Sequence, residues 1–565
     1  MRNSSSHHHQ PRLNMLSPFS SHLATNYSAS ELEKAQIQQL LKGPIEDNQR
    51  IDCEIEELRQ QLEALVHKRE ENDHFIEPHL ALLAPIRGLP NEILCAIFSH
   101  CLPTPARFLE DPFDSQEYMS AAQAPMLLTF ICQRWRQIAL DLPELWQRAP
   151  ITVSRSLHSP TDLDLGVQNA SQLTQLWLSR ARNRPVAISI SWELYPTART
   201  QFDKFLASIT RYSSQWEELR INSLLDRGLL DGILSLPSSS VPNLRNLEVP
   251  FEALWGSYDK KCLLGGPSIR GFRYKGTIYD HFAKLPLQWS QLTDLHLGSL
   301  NTTDTNIRKI FARCPQLERC HISISTVEIF ESYPLPRLRL SYLVLLHLRM
   351  HPSHSGRTLD PPIGFFASLH LPSLKDLTIN IRNLSDFPPA VVVGESLATL
   401  RRLTVFTDHS STATDAMLET LALTTRLESL ELYYLPHLIS TVTYSPLSDT
   451  TFLAALTPRQ EENPSASRNA SSGCEPQHAR FMERSNYPSY LCPNLQDIKL
   501  QIAAHPGIAN EVIFDFIKGR RERSTTLRSF SLQYARPVGD GEREMQGVND
   551  LGVNVDIKYQ GRGVM

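Results

Sequence analysis

The chain has 565 residues, and much of what it can be is bounded by what it lacks. No apolar run approaches the roughly 20 residues that a bilayer span needs, so a membrane protein is not expected. The opening "MRNSSSHHHQPRLNML" has no apolar core of the secretory kind, and its three histidines read as part of a short polar tail rather than as a tag fragment. Nine cysteines occur without a C-x-x-C pair or a dense framework. They read as reduced, buried thiols of an intracellular protein, cytoplasmic or nuclear. Cys95 and Cys101 flank His100, but on a helix the two thiols take different bearings, and a zinc site is not expected there. Neither charge dominates, the formal net being -4, so nothing points to nucleic acid or to a membrane surface. The nucleophile elbow G-x-S-x-G, a glycine loop for phosphate, H-E-x-x-H and paired carboxylates in a credible setting are all missing. No catalysis and no cofactor are expected. What remains is an ordinary globular composition, 41% apolar and 21% charged, long enough for several domains or one long repeat array.

Residues 1–30, rich in Ser, His and Asn, are expected to be disordered. A helical segment follows over 31–78. Ser30 with Glu33 three positions on is a capping-box signature, Gly43–Pro44 interrupts the run, and Ile51, Ile55, Leu58, Leu62 and Leu65 then recur at steps of four and three. That is a heptad seam of two to three heptads. Two readings stand: a homodimeric coiled coil through 51–69, or one helix folded back on its own chain.

Next comes "GLPNEILCAIFSHCLP", Gly88 to Pro103. Pro90 suits a first helical turn, and Ile93, Leu94, Ile97, Phe98 and Cys101 form one apolar stripe. Burying each large side chain is worth roughly 1.5–3 kcal/mol, so the stripe meets either its own core or another protein. Residues 104–124 read as a polar, proline-containing loop. A second helical run covers Ala124 to Gln147, with Met126, Leu127, Phe130, Ile131, Trp135, Ile138 and Ala139 on its apolar face, and "DLPELW" turns Trp146 back to the helices. So few short helices make a thin core that a partner helix would complete.

Together, "LPNEILCAIF", "CQRWRQIALD" and "LPELW" resemble an F-box, in the form abundant in mushroom-forming fungi. The Leu-Pro-x-Glu-Ile-Leu start lies at Leu89 to Leu94, the Cys-x-x-Trp-Arg helix at Cys132 to Arg136, and Pro-x-Leu-Trp at Pro143 to Trp146. The F-box-like domain would span 84–148, departing from the family in the loop insertion 104–124.

Beyond it, the pattern L-x-x-L-x-L recurs as "WEELRI" at 216, "LRNLEV" at 244, "IRGFRY" at 269, "LTDLHL" at 292, "LERCHI" at 317 and "LVLLHL" at 343. It continues as "LKDLTI" at 374, "LRRLTV" at 400, "LESLEL" at 427, "LQDIKL" at 495 and "LRSFSL" at 527. From 244 to 343 the steps are 25, 23, 25 and 26 residues. A sustained period of this size with a strand motif marks a leucine-rich-repeat solenoid, here of the irregular kind. Its expected span is 150–535, with a disordered insertion at about 457–490 and a C-terminal tail over 536–565. The expected fold is therefore α/β: a small helical F-box-like domain, preceded by a helical segment that is a coiled-coil candidate and followed by the solenoid.

In each unit the leucines point inward, and the residue between the last two faces out along the sheet. Down the array that column reads Arg220, Glu248, Arg273, His296, His321, His347, Thr378, Thr404, Glu431, Lys499 and Ser531, the candidate face for a protein target. The three histidines stack at about 4.8 Å from strand to strand; they are either plain surface residues or a source of pH-sensitive binding. "GRRER" at Gly519 to Arg523 reads as a solvated helix end before a nuclear signal. The F-box resemblance implies the substrate-recognition subunit of a Skp–cullin–F-box ubiquitin ligase. Leu89, Pro90, Ile93, Leu94, Ile97 and Phe98 would dock the Skp-type adaptor and, through it, cullin, while Trp135 and Trp146 hold the small helices together. The alternative is an adaptor-independent repeat scaffold.

Overall fold

A computed structural model describes residues 17–23, 25–102, 121–153, 160–192, 199–221, 232–250, 261–274, 276, 282–328, 337–350, 368–381, 394–407, 413–434, 450–458, 491–502, 510–524, 526–534 and 553–559. The polar start as far as residue 16, the loop over 104–120 and the insertion from 459 to 490 lie outside the described residues. The chain divides into two units, Met1–Asn91 and Glu92–Met565.

The first unit is one helix, α1 (Glu31–Leu83), about 80 Å long at the α-helical rise. Its start follows the expected capping box. The Ser30 side chain accepts from the Glu33 N–H, and the Glu33 carboxylate takes the Ser30 N–H at 2.8 Å. The expected break at Gly43–Pro44 does not occur, and the helix runs past residue 78 to Leu83 with Pro44 and Pro78 inside it. Each proline removes one backbone hydrogen bond, and the good helix formers on both sides carry the turn through. None of its residues is buried. A 3₁₀ turn, Pro85–Gly88, follows.

The second unit begins with α2 (Asn91–His100), α3 (Leu128–Ile131) and α4 (Gln133–Asp141), closed by a 3₁₀ turn at Pro143–Trp146. The single run expected over 124–147 is thus three pieces. Cys132 breaks it by taking an extended backbone, and its thiol then caps α4 by accepting from the Trp135 N–H at 3.5 Å. Among the described residues no single helix is long and apolar enough to cross a membrane.

A mixed α/β body follows, built on one parallel sheet of fourteen strands. The strands are β1 (Arg148–Val153), β2 (Val186–Trp192), β3 (Trp216–Ile221), β4 (Asn246–Val249), β5 (Gly271–Tyr274), β6 (Asp294–Thr303) and β7 (Arg319–Glu328). Then come β9 (Leu345–Met350), β11 (Asp376–Asn380), β12 (Arg402–Thr407), β13 (Ser429–Tyr434), β14 (Asp497–Ile502), β15 (Ser529–Tyr534) and β16 (Asn554–Tyr559), while β8 (Leu338–Arg339) and β10 (Leu369–His370) form a separate pair. Strand order follows chain order from β1 to β16. Crossovers carry α5 (Pro160–Arg180), α6 (Arg199–Thr210), α7 (Asp304–Ala312), α8 (Ala413–Leu423), α9 (Thr450–Leu456) and α10 (Asn510–Arg523). Each L-x-x-L-x-L unit supplies three core side chains, such as Leu292, Leu295 and Leu297, none more than 1% exposed. Three strands of the large sheet were not expected. β1 and β2 precede the first L-x-x-L-x-L repeat, and β16 lies in the segment read as a tail.

The helix end at "GRRER", expected to be solvated, is so only in part: Glu522 is exposed and Arg521 half-buried. Arg520 is fully buried and donates to three carbonyls, those of Leu456 at 2.6 Å, Cys492 at 2.8 Å and Leu491 at 2.6 Å. Gly519 beside it lets α10 close on the end of α9, since a Cβ there would lie 2.9 Å from the Thr457 methyl. One guanidinium thus ties α10 to the two chain ends that border residues 459–490.

Candidate functional site

Two regions carry the residues singled out in the sequence. In the first, the apolar stripe of α2 splits. Leu94 and Phe98 are fully buried, Ile93 stays 48% exposed and Ile97 is half-buried. The Phe98 ring lies 4.8 Å from that of Trp135, so these two aromatics join α2 to α4. Arg136 donates from Nε to the Thr129 carbonyl at 2.8 Å, tying α4 to α3. Trp146 is fully buried, donates from Nε1 to the Ala139 carbonyl at 2.8 Å and meets Trp177 of α5 edge-on at 4.8 Å. Arg180 lies 4.5 Å over the Trp146 ring. Leu127, Phe130 and Ile131 stay exposed, and they were expected on the buried face. Leu89 is half-buried and Pro90 exposed.

In the second region, the outward column falls in one register across the sheet. Arg220 pairs with Glu248, Glu248 with Arg273, Arg273 with His296, His296 with His321, and His321 with His347. The line goes on through Thr378, Thr404, Glu431, Lys499 and Ser531 to Asp556 of β16. All eleven residues are brought together as one row, with one member added.

The row is not uniformly wet. Arg273 and Glu248 are 0% and 1% exposed and form an ion pair at 3.5 Å. Arg220 is paired with Glu218. The rings of His296 and His321 stack at 5.3 Å, and those of His321 and His347 lie 4.8 Å apart. His321 is buried, and desolvation lowers its pKa to about 2, with His347, His296, Arg273 and Arg319 adding repulsion. His347 is lowered to about 4, by desolvation first and Arg349 second. His321 is therefore not a surface residue, and neither His321 nor His347 titrates near neutrality. Farther along, Glu431 is half-buried and Lys499 exposed.

Sequence reasoning overlooked the columns on either side. Two residues on, Phe406 stacks on Tyr433 at 4.5 Å, Tyr433 donates to Glu431 at 2.7 Å, and Lys499 lies 5.2 Å over the Tyr433 ring. Two residues before, Asp294 faces Arg319 and Asp376 faces Arg402 as ion pairs. An open groove of about 440 Å³ at the strand starts is lined by Glu318, Tyr342, Lys375, Arg401 and Arg426 among others. The second residue of each unit marks it (Glu318, Val344, Lys375, Arg401), and that position was not followed.

Among the described cysteines Cys262, Cys314, Cys320 and Cys492 are buried, whereas Cys53, Cys101 and Cys132 are exposed, against the expectation of buried thiols. Burial pushes Cys314 up to about 12 and Cys492 to about 11, which keeps both as thiols. Among the described residues no group of three or more His, Cys, Asp or Glu is placed to hold a metal ion. No protein-family model matches the chain, and no curated protein matches it.

Proposed function

We propose that this chain is the substrate-recognition subunit of a Skp–cullin–F-box ubiquitin ligase, working inside the cell. One observation carries the reading. A continuous outward row crosses twelve strands of the fourteen-stranded parallel sheet in chain order, set behind a small helical region that holds the F-box-like motifs. We read the sheet as one wall of a leucine-rich-repeat solenoid, a form that binds partners along its sheet face. The adaptor-binding set divides by task. Ile93 and Ile97 face the Skp-type adaptor, while Leu94 and Phe98 anchor α2 from within. The row holds a target protein. The chain does no bond chemistry; it raises the effective concentration of the target's lysines near a ubiquitin-charged enzyme recruited through cullin.

The burial of Leu94 and Phe98 also favours a second reading, in which the helices only cap the array and the chain is an adaptor-independent scaffold. Co-purification with a Skp-type adaptor separates the two. The receptor reading expects capture that Ile93→Asp with Ile97→Asp abolishes while circular dichroism and thermal midpoint hold. A folded chain that captures no adaptor supports the scaffold and ends the receptor reading.

A further inference from the structure

The apolar seam of α1 stands uncovered along its whole length, with Ile51, Ile55, Leu58, Leu62 and Leu65 between 42% and 65% exposed. The same alternation of three and four reaches beyond those five residues. It includes Asn48 upstream and Arg69, Asn72 and Ile76 downstream, four heptads on a helix with no buried residue. A helix this long, with this much apolar surface, has no core within its own unit to hold it.

We infer that α1 pairs with α1 of a second copy as a parallel, in-register coiled coil over residues 48–76. Charge complementarity on the flanks fits a second copy. In the parallel arrangement Glu54 of one chain faces Arg59 of the other and Lys68 faces Asp73, against the like-charged Asp47 with Asp52, each of the three pairings occurring twice. An antiparallel pair over residues 48–72 also finds opposite charges, Glu54 with Lys68, so the flanks do not choose the direction. The core layers do. In the parallel pair Asn48 meets Asn48, Asn72 meets Asn72, and each Leu or Ile meets its like. The antiparallel pair keeps Asn48 against Asn72 but sets Arg69 against Ile51 in two layers, which puts a guanidinium against an apolar side chain each time. The parallel pair also brings Arg69 to Arg69, each held by Asp73 of its own helix at 3.4 Å. A core Asn facing itself is a known determinant of two-stranded register. The inference stands on α1 alone and is independent of the ligase reading.

Sedimentation velocity on the full chain tests it. A dimer is expected at low-micromolar concentration, and Leu58→Glu with Leu62→Glu should raise its dissociation constant roughly 100-fold or more, since four large apolar contacts are lost. Both side chains are more than half exposed, so the rest of the chain keeps its fold. A chain that stays monomeric at tens of micromolar, or a dimer that survives the double substitution, overturns the proposal. Direction is read by oxidising a Leu62→Cys variant. A covalent dimer absent from the unsubstituted chain is expected; cross-linking of Leu62→Cys only to Leu58→Cys would show an antiparallel pair and refute the parallel one.

Discussion

Replacing Glu248 or Arg273 singly with methionine should cost far more than replacing both. Their side chains are 1% and 0% exposed and their charges lie 3.5 Å apart. At an effective dielectric near 20 the attraction is about 5 kcal/mol, set against the loss of water by both ions. Removing one partner takes away that attraction while the other charge stays in a dry site, at about 3–5 kcal/mol. Removing both takes away the attraction and both desolvation penalties, so the double variant should fall within about 1 kcal/mol of the parent. The two single variants should also differ. Glu248 sits in register between Arg220 and Arg273, so its loss leaves two arginines flanking an apolar side chain, whereas Arg273→Met leaves Glu248 with Arg220. Glu248→Met should be the worse. Each strand pairs only with its neighbours, so the damage is local, and hydrogen exchange of peptides covering β4 and β5 is the suitable assay. Protection there should drop roughly 10²- to 10³-fold in the single variants and return in the double. Single variants within a few-fold of the parent, or a double variant as poor as the sum, would refute the reasoning.

Arg520→Ala should destabilise the region around α9 and α10 by about 3–5 kcal/mol, because three buried carbonyls lose one guanidinium; a lowered urea midpoint checks it. Arg520→Lys should recover less than half of that loss, since one ammonium cannot serve three carbonyls in a fork. The histidine row makes acid destabilising. With folded values near 2 for His321 and 4 for His347 against 6.5, the unfolded chain binds protons that the folded chain refuses below pH 6.5. Stability therefore falls as pH drops from 6.5 to 4, and His321 extends the fall toward 2. His321→Asn with His347→Asn should flatten that slope in urea unfolding followed from pH 7 to 4; an unchanged slope would contradict the assignment.

The strands were legible where packing fixes three side chains per unit. Leu292, Leu295 and Leu297, or Leu427, Leu430 and Leu432, leave little freedom in register, and so the outward row could be written down residue by residue. β1, β2 and β16 escaped because "RAPITV", "VAISISW" and "NVDIKY" alternate without the leading leucine, and a short alternation alone does not mark a repeat. In α2 the sequence shows an apolar arc but not which edge is covered. Ile93 and Leu94 are only one helical step, about 100°, apart, yet one is half exposed and the other sealed. Cys132 and Arg520 act through backbone groups, Cys132 as a cap and Arg520 as a clamp, and neither role has a side-chain period to read. What lies over the outward row was likewise invisible, since alternation tells which side of a sheet a residue takes and nothing about what covers it.

That covering decides where the row can do work for a partner. A group already out of water gains little from further contact, because its desolvation has been completed by folding. Glu248, Arg273 and His321 are in that position, and their energetics belong to the fold. The stretch from β13 to β15 differs: Lys499 is exposed, Glu431, Tyr433 and Ser531 are half-buried, and Tyr433 and Lys499 are stacked in advance with the half-buried Phe406 of β12. Ordered aromatics with a cation beside them offer large contact area at small entropic cost. Under the receptor reading the target is therefore gripped on the C-terminal strands, and the histidine row stiffens the sheet behind that grip.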